Sequence, residues 1–264
     1  MELLKREWGR RHWLPLLCRR NMRLPGIGPV VTFSFDDFPR SAYRVGGAIL
    51  NGFRVRGTFY AAYSLVGTKA CSGEDLFRLE DLHDLVAEGH ELASHTLHHV
   101  SGREIPRTAF VKEVLEGRAA LQSIHGLPVS DNFSYPFGAV TVATKKAVGT
   151  KMLSCRSSFR GVNGPIVDLS LLRANSLYGG IDQLSLVKKL LRRAQELSGW
   201  LIFYTHDVKD HPSRYGCTPA LLEAAVKAAL DSSIKVMTVN EVLAHAGKCQ
   251  LNETKPLLSS TAAH

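Results

Sequence analysis

The sequence predicts an α/β fold, a parallel sheet closed or nearly closed into a barrel and forming a single domain. Three observations carry this reading. Short runs rich in β-branched and aromatic residues alternate with segments whose apolar residues recur at helical spacing, and parallel strands need such helical crossovers and cover on both faces. No Pro/Gly/Ser-rich linker divides the 264 residues, of which 45% are apolar, so the chain suits one large core. Reactive residues fall at predicted strand C-terminal ends, where α/β barrels gather their active sites.

The elements follow in order. Val30 to Asp37 (Val-Val-Thr-Phe-Ser-Phe-Asp-Asp) reads as the first strand and closes on two carboxylates. Ala42 to Asn51 is a helix stopped at Gly52, and Gly57 to Tyr63 a second buried strand. From Glu74 the residues Leu76, Leu79, Leu82, Leu85 and Val86 keep a spacing of three and four, a helix that Gly89 ends. His90 to Ser94 is a third strand. A long amphipathic helix opens at Pro106 or Arg107 and closes at Gly126. Asn132 to Tyr135 is a short strand, Val140 to Val148 a helix and Met152 to Arg156 another strand. Gly161, Gly164 and Pro165 mark a loop, with a strand expected within Leu171 to Leu177. Asp182 is the expected cap of a helix running to Leu197, and Gly199 turns into the strongly apolar strand Trp200 to Thr205. Thr218-Pro219 reads as an N-cap with proline at the first helical position, opening an Ala-rich helix to Leu230. Lys235 to Val239 is the last strand. No internal repeat and no phosphate-binding glycine motif stands out.

Two strand ends carry chemistry. Asp36-Asp37 closes the first strand, and adjacent carboxylates there are costly to bury without a positive partner; a metal ion would be one. His95-Thr96-Leu97-His98-His99 follows the third strand, and at a spacing of four His95 and His99 would project from the same side of one helical turn and hold one ion. Each signal has a plainer reading, a solvated His-rich turn or an Asp-Asp helix cap. Their combination favours the metal.

Together these residues resemble the polysaccharide deacetylases with the NodB homology domain, carbohydrate esterase family 4. The family's Thr-Phe-Asp-Asp is approximated by Ser34-Phe35-Asp36-Asp37, and its His-Ser/Thr-x-x-His by the run from His95 to His99. Its Arg-x-Pro-Tyr-Gly is partly matched by Ser134-Tyr135-Pro136-Phe137-Gly138, and its late strand ending in His by Leu201 to His206-Asp207. All four lie in the family's order, between Val30 and Leu243. The resemblance implies a distorted (β/α) barrel with about seven parallel strands. It also implies a metal-dependent hydrolase that removes an N-acetyl or other N-acyl group from an amino sugar or polysaccharide, with water on the metal as nucleophile. Asp37, His95 and His99 would hold the ion, Zn²⁺ or another divalent metal such as Co²⁺, Ni²⁺ or Mn²⁺. Asp36 would be the general base and His206 the acid that protonates the leaving amine. The Pro136 turn would offer the backbone N–H of Phe137 to the oxyanion. His98 falls at a variable position.

Two departures stand out. Ser134 occupies the place of the arginine that positions the base, and the family's fourth motif, which tunes the acid histidine, is not recognisable between Lys151 and Asn175. Asp168 and Asp207 are the candidate substitutes for the latter. Both losses touch supporting groups rather than ligands, acid or base, so activity is expected. The rival readings are a deformylase or amidase of the same fold acting on another substrate, and a metal-binding relative without catalysis.

Composition bounds the setting. Five cysteines, at 18, 71, 155, 217 and 249, form no C-x-x-C pair and suit reduced thiols. No run is long enough for a membrane helix, the apolar stretch Trp13 to Cys18 is too short for a signal-peptide core, and a cytoplasmic protein is expected. The net charge of +9 reads as an anionic partner or as solubility. Residues 1–24 hold seven Lys or Arg against two Glu, with Trp8 and Trp13 between them, a pattern of either a membrane-surface segment or a short helix packed on the domain. The expected partners are the N-acylated sugar and, peripherally, an anionic membrane, with no nucleic acid. The expected organisation is a basic segment over 1–29, the deacetylase-like domain over 30–247 and a loose tail over 248–264.

Overall fold

The computed structural model describes residues 13–70 and 73–253, the last five as backbone. Residues 1–12, 71–72 and 254–264, with the expectations attached to them, lie outside the described residues.

The strands are β1 (Asn21–Arg23), β2 (Val30–Asp36), β3 (Thr58–Ala61), β4 (Glu91–Ser94), β5 (Val129–Ser134), β6 (Ser154–Arg156), β7 (Ile166–Asp168), β8 (Asn175–Ser176), β9 (Trp200–Thr205) and β10 (Lys235–Val236). The helices are α1 (Ala48–Gly52, continuing a π-turn over Ala42–Gly47), α2 (Leu79–Ala87), α3 (Arg107–Gln122), α4 (Val142–Gly149), α5 (Leu184–Glu196), α6 (Pro219–Asp231) and α7 (Val239–Glu253). One parallel sheet runs β6-β5-β4-β3-β2-β9-β8, and β10 pairs with the start of β2. It curls as a distorted barrel does. Its two edges are linked by the segment after β7, where Leu172 bridges Arg156 before β8 pairs with β9.

The alternation of each strand divides the polar from the apolar. On β2, Val31, Phe33 and Phe35 pack with Phe59, Leu92 and Phe203 into the main core beneath α1, α2, α5 and α6. Each such ring or branched side chain, fully buried, is worth about 1.5–3 kcal/mol. The residues between them, Thr32, Ser34 and Asp36, turn to the lumen. There Glu91 accepts hydrogen bonds from Thr58, Ser130, Asn132 and the Asn240 N–H, and the Trp200 indole donates to Thr32. The sheet thus carries polar groups inward, and β2, β4, β5 and β9 deliver their C-terminal residues to one rim.

Several boundaries differ from the sequence expectation. Leu76 is not helical: it bridges Pro39 as extended chain, and α2 begins only at Leu79. Asp182 sits in a 3₁₀ turn and makes no cap bond, whereas the Thr218 hydroxyl accepts from the Leu221 N–H as expected. The antiparallel pair β1–β7 is too short to leave a periodicity. Helix α7 runs to Glu253, so 248–253 is helical rather than loose. The described part of the N-terminal segment is packed on the domain. The buried Lys145 pairs with Asp168 at 2.7 Å and donates to the Leu14 and Leu17 carbonyls at 3.0 and 2.6 Å.

Candidate active site

The carboxylate pair is arranged by a turn. β2 ends at Asp36, and Asp37 has a φ of 50°, so two side chains that a straight strand would send to opposite faces both act on His95. The histidines are not in a helical turn, which corrects the expectation from their spacing. β4 ends at Ser94 and the motif continues as a loop in which Thr96 and His99 take φ of 71° and 54°. Two left-handed residues fold the loop back, and the His95 and His99 rings come within 5.1 Å. Helix α3 holds it there. The Leu97 N–H donates to the Glu113 carbonyl and the His98 N–H to the Glu113 carboxylate, both at 3.0 Å. Gly117 lies so close that a Cβ would stand 2.3 Å from the Thr96 carbonyl carbon. His98 points away, its ring nitrogen 2.9 Å from Glu113.

Asp37, His95 and His99 meet at one point, with one ligand atom from each within 4.8 Å of the others. His95 Nε2 is 3.4 Å and His99 Nε2 3.0 Å from the two Asp37 oxygens. The His95 Nδ1 bonds the Ser134 carbonyl at 2.7 Å; with the proton assigned there, Nε2 keeps its lone pair for the rim, the usual support of a metal-bound imidazole. Burial lowers the His95 pKa to about 4. Burial acts to raise the Asp37 carboxyl, but the two histidines outweigh it and bring its pKa down to about 2. At neutral pH Asp37 is therefore a carboxylate and His95 a neutral imidazole, the ligating forms. Asp37 Oδ1 and His99 Nε2 are buried and without a hydrogen-bond partner, as atoms that face a cation should be. The donor set fits a divalent ion of the zinc class with a position left for water.

Around this point stand the other predicted residues. Asp36 is buried and receives the Arg156 guanidinium on Oδ2, while its Oδ1 has no partner. Pro136-Phe137-Gly138 forms a 3₁₀ turn after β5 in which Phe137 takes a φ of 57°, its exposed ring 4.5 Å from that of His99. His206 follows β9 at the same rim, close enough for its charge to act on Asp37. Its Nδ1 lies 3.2 Å from the Tyr215 carbonyl, and the rings of Tyr178 and Tyr215 are 6.1 and 5.6 Å from its own.

Residues 25–152 match the sequence model described as polysaccharide deacetylase. This segment belongs to the polysaccharide deacetylase family. Solved structures of similar fold include a peptidoglycan deacetylase variant from Bacillus subtilis (16% identity over 88% of this chain and 98% of that one, TM-score 0.52). The chitin deacetylase of the fungus Colletotrichum lindemuthianum (15%, 84% and 89%, 0.53) is another. A third is a domain of a multidomain xylanase from the hindgut metagenome of Trinervitermes trinervoides (16%, 83% and 92%, 0.52). No curated protein matches the sequence.

Set beside the family's motifs, the two departures resolve differently. The cation on Asp36 is present but comes from Arg156, the residue that pairs with Ser134 across β5 and β6; no motif on either strand announces it, because only the register brings the two together. Neither Asp168 nor Asp207 replaces the fourth motif. Asp168 is occupied by Lys145 and by the Arg20 and Ser170 amides. Asp207 turns back to accept from the Ser213 amide and hydroxyl, closing the loop that presents the Tyr215 carbonyl to His206. The partner of the histidine is thus a backbone oxygen, which a side-chain motif cannot report.

Proposed function

We propose that this deacetylase-family chain is a metal-dependent hydrolase that removes an N-acetyl group from an amino sugar, free or polymeric. The observation that carries the reading is the convergence of Asp37, His95 and His99 with Asp36 and His206 on the same rim. A divalent ion held by the first three would act as a Lewis acid and make a nucleophile available from water at neutral pH. Asp36, with Oδ1 turned to the site, takes the proton from the attacking water. The Phe137 N–H, in its turn beside His99, is the donor for the developing oxyanion. His206, its Nδ1–H engaged by Tyr215, holds a proton on Nε2 for the leaving amine when the ring is charged. Retention of both Asp36 and His206 favours this over a metal-binding relative without turnover, which needs neither, and the family match favours a sugar over a deformylase or amidase substrate.

The test is acetate release from chitopentaose by the purified chain, abolished by a chelator and restored by Zn²⁺, Co²⁺, Ni²⁺ or Mn²⁺ in some order. Activity indifferent to chelation would overturn the metal assignment. The reading extends to place. The basic N-terminal sequence and the unpaired spacing of the cysteines support action on the cytoplasmic side, on an amino sugar carried by a phosphate or held near anionic lipid. No helix among the described residues is long and apolar enough to cross a membrane. Binding of a phosphate-bearing N-acetylated sugar should then weaken with added salt while that of a neutral one does not, and cell fractionation should find the protein in the cytoplasm; the reverse of either result removes this extension.

A further inference from the structure

The Arg156 side chain is 2% exposed. A guanidinium at that depth is costly unless its geometry is fixed and its charge is paired. Here Nη2 donates to both Asp36 Oδ2 and the Ser134 hydroxyl, Nη1 to the Ser157 carbonyl at 3.3 Å, and the carbon at its centre lies 5.2 Å from the Tyr60 ring centroid and 4.9 Å from that of Tyr204. Two aromatic faces confine the group from the sides. The serine and the carbonyl fix it along the strand. Asp36 therefore has one place for Oδ2, and Oδ1 is left as the oxygen without a partner, buried at the rim. Ser134 and Arg156 are register partners on neighbouring parallel strands, whose axes lie about 4.8 Å apart, so their side chains share one face and one volume. A small hydroxyl at 134 leaves room for a long cation at 156.

Building on the reading of Asp36 as the base, we propose that Arg156 is its positioning residue, and that the positioning cation is exchangeable across the β5–β6 register, with Ser134 the complementary small partner. Arg156 touches no reacting atom. It holds one carboxylate oxygen so that the other faces the attacking water, a task set by the fork of a guanidinium rather than by charge alone.

The experiment uses the full chain reconstituted with Zn²⁺ and chitopentaose as probe. Arg156→Ala should lower kcat by about 10- to 100-fold, with KM within about twofold and bound zinc unchanged. Arg156→Lys should fall between the two, and added guanidinium should restore part of the Arg156→Ala loss. In the Asp36→Asn background Arg156→Ala should add little, because the two act as a unit. The double variant Ser134→Arg/Arg156→Ser should recover at least about tenfold over Arg156→Ser alone. A parental kcat in Arg156→Ala, loss of zinc together with activity, or a double variant no better than the single overturns the proposal. If Asp36→Asn itself turns over at the parental rate, the base reading falls and the positioning role with it. If Asp36→Asn is inactive while Arg156→Ala is parental, the positioning role alone falls. A thermal unfolding cycle reads the pairing without substrate: Arg156→Ala and Asp36→Asn should lower Tm non-additively, and additive losses would overturn it.

Discussion

Strand β4 carries a histidine at each end, and the two ends of the barrel use them in opposite ways. His90, just before the strand, lies at the closed end: its Nδ1 accepts the Gly57 N–H at 3.1 Å, and beside it the lumen groups around Glu91 are bonded to one another. His95, just past the strand, lies at the rim: its Nδ1 bonds the Ser134 carbonyl instead, so the free lone pair faces Asp37. The rim also holds Asp37, Thr96, His99 and Phe137, four of the eight non-glycine residues with positive φ among the described residues, and the unpartnered Asp36 Oδ1, Asp37 Oδ1 and His99 Nε2. Backbone strain and unsatisfied polar atoms each cost stability. At the rim they gather on the residues a ligand would use, whereas at the other end Arg54, Ser198 and Ser233 take positive φ in the turns that lead into β3, β9 and β10, a division between chemistry and support.

The largest effects should come from the rim. His95→Ala, His99→Ala or Asp37→Ala should take bound metal from about one ion per chain to near none, measured by elemental analysis after purification, whereas His98→Ala should keep it because that ring turns to Glu113. Unchanged metal in the ligand variants would erase the distinction between the two ends. Asp36→Asn and His206→Ala should keep the metal and lose about 10²- to 10⁴-fold in rate. A parental rate in either removes its role.

What was legible in the sequence follows the same line. Groups that act from one short stretch, Asp36-Asp37 and the His95 to His99 run, could be picked out, and the alternation of strand and helix gave the fold. The conformation of the histidine run could not be read, since a spacing of four serves a helical turn and, as here, a loop folded by two left-handed residues. The groups missed are those brought in by pairing across the sheet or by backbone: Arg156 through its register with Ser134, and the Tyr215 carbonyl through a loop closed by Asp207. A side chain chosen to fit a neighbour two elements away leaves no periodic trace.

A smaller effect probes how the rim is held. Gly→Ala within a helix ordinarily stabilises by about 1 kcal/mol. At Gly117 the added methyl would meet the Thr96 carbonyl carbon at 2.3 Å and the Leu97 nitrogen at 2.5 Å, so the loop must move. Gly117→Ala should therefore weaken metal binding, seen as a raised dissociation constant in competition with a chelator. A variant that is more stable and binds metal unchanged would show that α3 does not set the loop.

The smallest effect belongs to the closed end. Burial, with the nearby Arg56 charge, lowers the His90 pKa from 6.5 to about 4. Since the folded value lies below the unfolded one, the neutral ring contributes stability that is fully present above pH 6.5, and this is lost as pH falls toward 4, where both states bind the proton. At pH 5 the loss is about 2 kcal/mol from this residue alone. His95 shifts the same way, and a bound ion that keeps its ring neutral in the folded state alone would retain that contribution to the acid loss. Denaturant midpoints at pH 7.5 and pH 5 should therefore differ through both rings, and substitution isolates the share of His90. Asn in its place can still accept the Gly57 N–H and has no proton to gain, so His90→Asn should narrow the difference. If His90→Asn leaves the acid loss unchanged, the two histidines of β4 do not divide between support and chemistry as their hydrogen bonds imply.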